Sequence, residues 1–236
     1  MEKRAKLLRD KIRNQITDRD GMKMATYIYL HGFASSPFST KAQYLRDRFA
    51  SLQINLNIPD LNHGDFSHLT LTRQLQQIEA EFSPDTSSFV VMGSSFGGLT
   101  AAWLAEKKFP IDRLILLAPA FNFSSEWFPK LGSEKLKQWK SEGYLSVYHY
   151  AEKQNLPLSY QFLEDLSQYP DEQLQRKIPT LILHGIQDEV IPIQASRNYA
   201  ATRPWVKLIE LNSDHSLDNV LGEIWQEIQG FLYSIL

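Results

Sequence analysis

The residues able to do covalent chemistry stand out by their neighbours. An apolar run, Ser88–Met92, leads straight into Gly93-Ser94-Ser95-Phe96-Gly97-Gly98, and an apolar stretch with helical spacing, Leu99, Ala102, Trp103 and Leu104, follows. Gly-x-Ser-x-Gly between a strand and a helix makes a sharp turn. It forces the central serine into strained backbone geometry, and its small flanking residues let neighbouring chain approach. The presented nucleophile is therefore Ser95, not Ser94. A phosphate-cradling loop is the rival reading, but no Lys-Ser/Thr follows the glycines and their spacing is not of the dinucleotide type.

A serine hydroxyl is a weak nucleophile at neutral pH and needs a base, which in turn needs an acid to orient it. Both follow downstream, each in a loop after an apolar run. Asp188 lies in Gly185-Ile186-Gln187-Asp188-Glu189-Val190-Ile191-Pro192 after Thr180–His184, and His215 lies in Asn212-Ser213-Asp214-His215-Ser216-Leu217 after Val206–Leu211. The order Ser, acid, His has spacings of 93 and 27 residues. Glu189, Asp214 and Asp218 compete for the acid role. Asp214 adjoins His215 and is badly placed to orient its ring, and Glu189 lies one step beyond the fitting loop position, so the candidate catalytic set is Ser95, Asp188 and His215.

A tetrahedral intermediate also needs preorganised N–H donors for its oxyanion. One is expected from Phe96, the residue after the nucleophile. The other is expected from Phe33, in the loop His31-Gly32-Phe33-Ala34-Ser35-Ser36-Pro37 after the run Tyr27–Leu30. His31 reads as a structural ring packed under that turn. His149 and His184 read as a surface and a strand-end residue. His63 and His68 flank Asp65 without the spacing of a ligand pair or a further ligand nearby, so no metal site is expected and nothing calls for a cofactor.

These groups need a scaffold. Strand-length apolar runs, Ala25–Leu30, Ile54–Ile58, Ser88–Met92, Arg113–Ala118, Thr180–His184 and Val206–Leu211, alternate with helically spaced segments. Those segments are Lys41–Leu52, Leu69–Phe82, Phe96–Lys107, Ile193–Ala201 and Val220–Leu236. The alternation predicts an α/β fold with a mostly parallel central sheet flanked by helices. From Ala120 to Ile178 the rhythm breaks, and 11 of 59 residues are aromatic against 17 of 177 elsewhere. That segment, 120–178, predicts a small helical cap on a domain spanning 25–236. Phe121, Phe123, Trp127 and Phe128 leave the sheet at its catalytic edge and are the expected substrate contacts. The bland alternative is that such rings only pack the cap onto the body.

Composition narrows the classes further. The 236 residues carry 25 Lys+Arg against 27 Asp+Glu, too even a balance for nucleic-acid binding. Zero cysteines exclude thiolate catalysis and Cys-based metal sites and give no sign of an oxidising compartment. No apolar run is long enough to span a bilayer. Residues 1–24 hold eight Lys/Arg and four acids and read as a charged N-terminal extension, neither a secretory signal nor an organellar presequence. The expected location is cytoplasmic.

Taken together, Leu30-His31-Gly32-Phe33-Ala34-Ser35-Ser36-Pro37 with the following Lys41, Gly93-Ser94-Ser95-Phe96-Gly97-Gly98, Asp188-x-x-x-Pro192 and Asp214-His215 resemble the α/β-hydrolase superfamily. More narrowly they resemble the small bacterial serine esterases of the YqiA/YcfP type. The resemblance implies an α/β-hydrolase fold and hydrolysis of a small-molecule acyl ester or thioester, of small to medium acyl size, through an acyl-enzyme. An acyltransferase or peptidase with the same triad, and a non-catalytic ligand-binding protein on this fold, are the alternatives.

Overall fold

The computed structural model describes residues 25–82, 88–107 and 109–233; the charged extension at 1–24 lies outside them. Six strands form one parallel sheet: β1 (Thr26–Leu30), β2 (Leu56–Asn57), β3 (Phe89–Ser94), β4 (Ile111–Leu117), β7 (Thr180–Gly185) and β8 (Val206–Leu211), in the order β2-β1-β3-β4-β7-β8. Between β4 and β7 the chain makes an antiparallel pair, β5 (Tyr144–His149) and β6 (Gln154–Ser159).

The inner strands are largely apolar because both faces of the sheet are covered there, and the two-residue period assigns each side chain to one face. Ile28, Leu30, Val91, Leu114, Leu116 and Ile182 join one core cluster, with Leu71, Leu75 and Ile78 of α2 (Leu71–Glu81) and most of α3 (Phe96–Glu106). Tyr27, Tyr29, Val90, Met92, Ile115, Leu117, Leu181 and Leu183 join the other. There they meet Ala42, Leu45 and Phe49 of α1 (Thr40–Ser51) and Ile224, Trp225, Ile228 and Phe231 of α8 (Leu221–Tyr233). Helix α7 (Ile193–Ala201) follows β7.

Pairing brings the C-terminal ends of the strands level: Leu30 opposite Gly93, Ser94 opposite Leu117, Leu117 opposite Leu183, and Gly185 opposite Leu211. The loops that leave these ends therefore share one edge, where sites of open α/β sheets form.

The segment expected to be a helical cap is only partly helical. It contains α4 (Phe123–Leu131), α5 (Ser133–Glu142) and α6 (Gln161–Leu166), but also the β5–β6 hairpin, which the sequence reading missed. The hairpin is a small two-stranded ribbon with little to bury. Leu145, His149, Leu158 and Ser159 are buried, while Tyr144, Ser146, Tyr148, Gln154 and Asn155 face solvent. Pro157 in β6 further hides the strand, since proline is tolerated only where no ladder donor is needed. Trp139 of α5 locks the unit together, fully buried with its indole N–H donating to the Leu158 carbonyl at 2.9 Å.

Candidate active site

Ser95 sits between β3 and α3 with φ 53° and ψ −119°, a conformation rare for a non-glycine residue. The surroundings force it. A Cβ at Gly93 would collide with the Gly97 carbonyl, and one at Gly97 would collide with the carbonyl oxygens of Leu30 and His31. Only hydrogen at these two positions lets strand, turn and helix pack so closely, which is the physical content of the Gly-x-Ser-x-Gly spacing. The Ser95 N–H donates to the Leu117 carbonyl at 2.9 Å, pinning the turn to β4.

His215 reaches this serine from the loop after β8, with Nε2 3.0 Å from Ser95 Oγ and Nδ1 2.7 Å from Asp188 Oδ2. An ionised carboxylate only accepts, so Nδ1 carries the proton and Nε2 is left to receive the one on Ser95. The loop is shaped locally. Asp214 Oδ1 accepts from Ser216 N–H at 2.9 Å, Ser216 Oγ at 2.7 Å and Leu217 N–H at 3.3 Å, an Asx turn that presents His215 inward and leaves Asp214 exposed. Lys41, at the start of α1, donates from Nζ to the Ser216 carbonyl and ties the loop to the body.

Asp188 is buried, and both its oxygens are saturated. Oδ1 accepts from Val190 N–H at 2.9 Å and Ile191 N–H at 2.8 Å; Oδ2 faces His215 and also His184 Nε2 at 3.1 Å. Burial alone would raise the pKa of this carboxyl. Hydrogen bonds from His184 and His215, the charge on His215 and the Ile191 N–H outweigh it and hold the group well below the usual carboxylate range. The competing acids are elsewhere: Glu189 and Asp218 are exposed, and the carboxylate bonded to His215 is that of Asp188. Among the described residues no group of three or more His, Asp or Glu side chains could hold a metal ion. His68 and Asp65 form a simple exposed pair at 2.8 Å.

Of the two residues expected to supply oxyanion donors, one directly follows the serine and the other follows a glycine packed against it. Phe96 is the first residue of α3, where an N–H has no acceptor within its own helix. Gly32 lies against the nucleophile, since a Cβ there would stand 3.4 Å from Ser95 Cβ, and Phe33 follows it. His31 is buried beneath this turn, accepting at Nε2 from Leu61 N–H at 2.9 Å, with Nδ1 3.0 Å from the Gly32 carbonyl.

Both phenylalanine rings run into the cap. Phe33 packs on Phe162 at 5.4 Å, Trp127 at 5.8 Å and Phe123 at 6.3 Å between ring centres, and Phe96 packs on Phe123 at 5.4 Å and Phe162 at 5.5 Å. Phe128 touches this group through Trp127 at 5.9 Å. Phe121 does not join it. Fully buried, it stacks on Tyr199 of α7 at 4.0 Å and 11°, with Arg203 over the other ring. Adjacency in sequence grouped these four aromatics, and the αL turn at Asn122 separates the first from the rest.

One histidine differs from its sequence reading, and another, at the end of β7 as expected, has an unforeseen partner. His149 is buried, edge-on to Phe66 at 4.8 Å, because the unforeseen hairpin carries it inward. His184, read as a strand-end residue, contacts the acid of the site; its place four residues before Asp188 was the available signal.

The profile of the uncharacterised protein family UPF0227 matches residues 26–232. The chain belongs to this family. Solved structures share the fold of this UPF0227 protein. Alpha/beta hydrolase domain-containing protein 10 from mouse superposes with a TM-score of 0.77 at 19% identity, over 91% of this chain and 92% of that one. Est1E from Butyrivibrio proteoclasticus, solved with ferulic acid bound, gives 0.75 at 20%, over 92% of each chain. A protein of Agrobacterium vitis S4 named provisionally as a hydrolase gives 0.76 at 24%, over 88% of this chain and 87% of that one. The UPF0227 chain thus has the α/β-hydrolase fold, a six-stranded parallel sheet between helical layers.

Proposed function

We propose that this protein is a serine hydrolase that cleaves carboxylic esters or thioesters of small to medium acyl groups. The observation that carries the proposal is the continuous chain from Ser95 Oγ through His215 to Asp188, with links of 3.0 and 2.7 Å. As His215 Nε2 takes the hydroxyl proton, Ser95 Oγ attacks the acyl carbon. The resulting oxyanion is met by the N–H groups of Phe33 and Phe96, and Asp188 stabilises the imidazolium. His215 then returns the proton to the leaving oxygen or sulfur, and water, activated by the same ring, releases the acid.

The aromatic group formed by Phe33, Phe123, Trp127 and Phe162 supports an apolar acyl partner, because it stands on the residues that supply the oxyanion donors. Labelling by a fluorophosphonate, followed by nitrophenyl esters of increasing acyl length, tests the reading. Wild-type protein is expected to label and turn over, and Ser95→Ala is expected to lose labelling and at least about 10³ in kcat while keeping its fold. Labelling that persists in Ser95→Ala, or that maps to Ser94, overturns the assignment of the nucleophile.

A further inference from the structure

The acid of the site is bracketed by two imidazoles, and the mechanism above uses one. His184, on β7, is fully buried, and its two ring nitrogens have different partners. Nε2 stands 2.9 Å from the Ile191 carbonyl and 3.1 Å from Asp188 Oδ2, while Nδ1 stands 2.7 Å from Ser196 Oγ on α7. A carbonyl oxygen only accepts, so Nε2 must carry the proton, shared between Ile191 and Asp188. Nδ1 then accepts from the Ser196 hydroxyl, itself buried, which fixes the tautomer.

We propose that His184 is a positioning residue of the active site: its Nε2–H, held in place by Ser196, orients the Asp188 carboxylate for His215. The inference rests on the serine-hydrolase reading, because it assigns His184 a part in the work of the same triad. A ring that merely filled space could be replaced by another ring of similar size. This one completes the donor set of a buried carboxylate: two backbone N–H groups on Oδ1, two imidazole N–H groups on Oδ2. Removing one donor does two things. The carboxylate is freer to turn, so His215 is aimed less well. Its negative charge is also less spread and draws harder on the His215 proton, which favours the imidazolium.

The consequence is a signature that packing alone does not produce. With the His184 N–H gone, the acid limb of kcat/KM moves to higher pH. The other charged groups near this network, Lys41 from α1, Asp214 and Asp218 from the His215 loop, and Glu210 on β8, are the same in every variant, so the shift reports on His184.

The experiment compares His184→Phe, His184→Gln and Ser196→Ala with wild type, measuring kcat and the pH profile of kcat/KM on nitrophenyl butyrate and thermal stability alongside. His184→Phe is expected to lower kcat about tenfold or more and to raise the acid limb by roughly half to one pH unit. His184→Gln, whose amide N–H can stand near the Nε2 position, is expected to restore most of both. Ser196→Ala, which frees the tautomer, is expected to shift the limb in the same direction by less. The titration of the His215 ring, followed by NMR, must move with the limb and needs no turnover. If His184→Phe does not fold, Ser196→Ala and the NMR titration decide. A limb and a His215 titration that stay at their wild-type positions, with activity falling only as stability falls, overturn the proposal. Failure of the wild-type protein to label with fluorophosphonate would instead remove the hydrolase reading, and the NMR titration separates the two failures.

Discussion

Asp188→Asn changes one atom of the site and has a calculable effect. In the variant the amide oxygen keeps the Val190 and Ile191 N–H groups, so Nδ2 takes the place of Oδ2 and points two hydrogens at two ring N–H groups, on His215 and His184. His184 is held by Ile191 and Ser196 and stays as it is. His215 escapes by moving its proton to Nε2, where it faces Ser95 with a donor instead of a base. The equivalent change in a well-studied serine protease triad costs roughly 10⁴ in kcat with the geometry intact, and a comparable loss is expected here. One buried donor loses its charged acceptor, so stability should fall by about 1–3 kcal/mol.

That stability penalty has a pH window. The folded-state pKa of Asp188 is depressed, so its contribution is fully present above the unfolded carboxylate value near 3.9 and is lost as pH falls further. The variant should therefore be less stable than wild type throughout pH 6–9, with the gap closing below about pH 4. Second-order labelling by fluorophosphonate, kcat on nitrophenyl butyrate, and urea denaturation across pH measure these quantities. Asp214→Asn and Glu189→Gln are the controls, with losses within about threefold, since one shapes an exposed turn and the other faces solvent. Asp188→Asn activity within tenfold of wild type, or equal losses in all three variants, refutes the reasoning.

Trp127→Ala should open space beside Phe33 and Phe123, move the acyl-length optimum toward longer chains and lower stability by about 2 kcal/mol; an unchanged chain-length profile would make the ring pure packing. Burial, helped by Glu172, pushes the Asp171 carboxyl up to about 6 against the pull of the Asn122 N–H and Arg203. The native state therefore holds this proton more tightly than the unfolded chain, and wild-type stability falls as pH rises from about 4 through 6. Asp171→Asn should be the more stable protein at pH 8 by about 2 kcal/mol, with no difference near pH 4; a pH-independent difference counts against it. Gly97→Ala should yield insoluble or inactive protein, because its Cβ meets the backbone carbonyls of Leu30 and His31; soluble, active protein would show that these carbonyls can yield.

Much of the scaffold could be read before any coordinates. The six parallel strands follow their apolar runs, and five helices follow their three- and four-residue spacing, because both signals are local and the sheet is covered on both faces. The turn at Ser95 was legible for the same reason: its glycines answer to clashes within a few residues and with the one strand beside it. The order of Ser95, Asp188 and His215, each just past a strand, followed from the rule that sites collect at strand C-termini. Other features belong to contacts between distant segments. The β5–β6 hairpin buries few side chains and contains a proline, so its pattern is weak, and it is held by Trp139 and by the bond from Tyr150 N–H to the Ala34 carbonyl. Phe121 and Phe123 lie two residues apart, yet the αL turn between them sends one ring to Tyr199 and the other to Phe33. His184 is ordinary as a strand-end residue and becomes a partner of Asp188 because the loop folds back over β7 and α7 offers Ser196 from the far side. Periodicity and turn chemistry are written in neighbouring residues, whereas the choice of which side of a ring faces a carboxylate is made by the packing of segments that the sequence keeps apart.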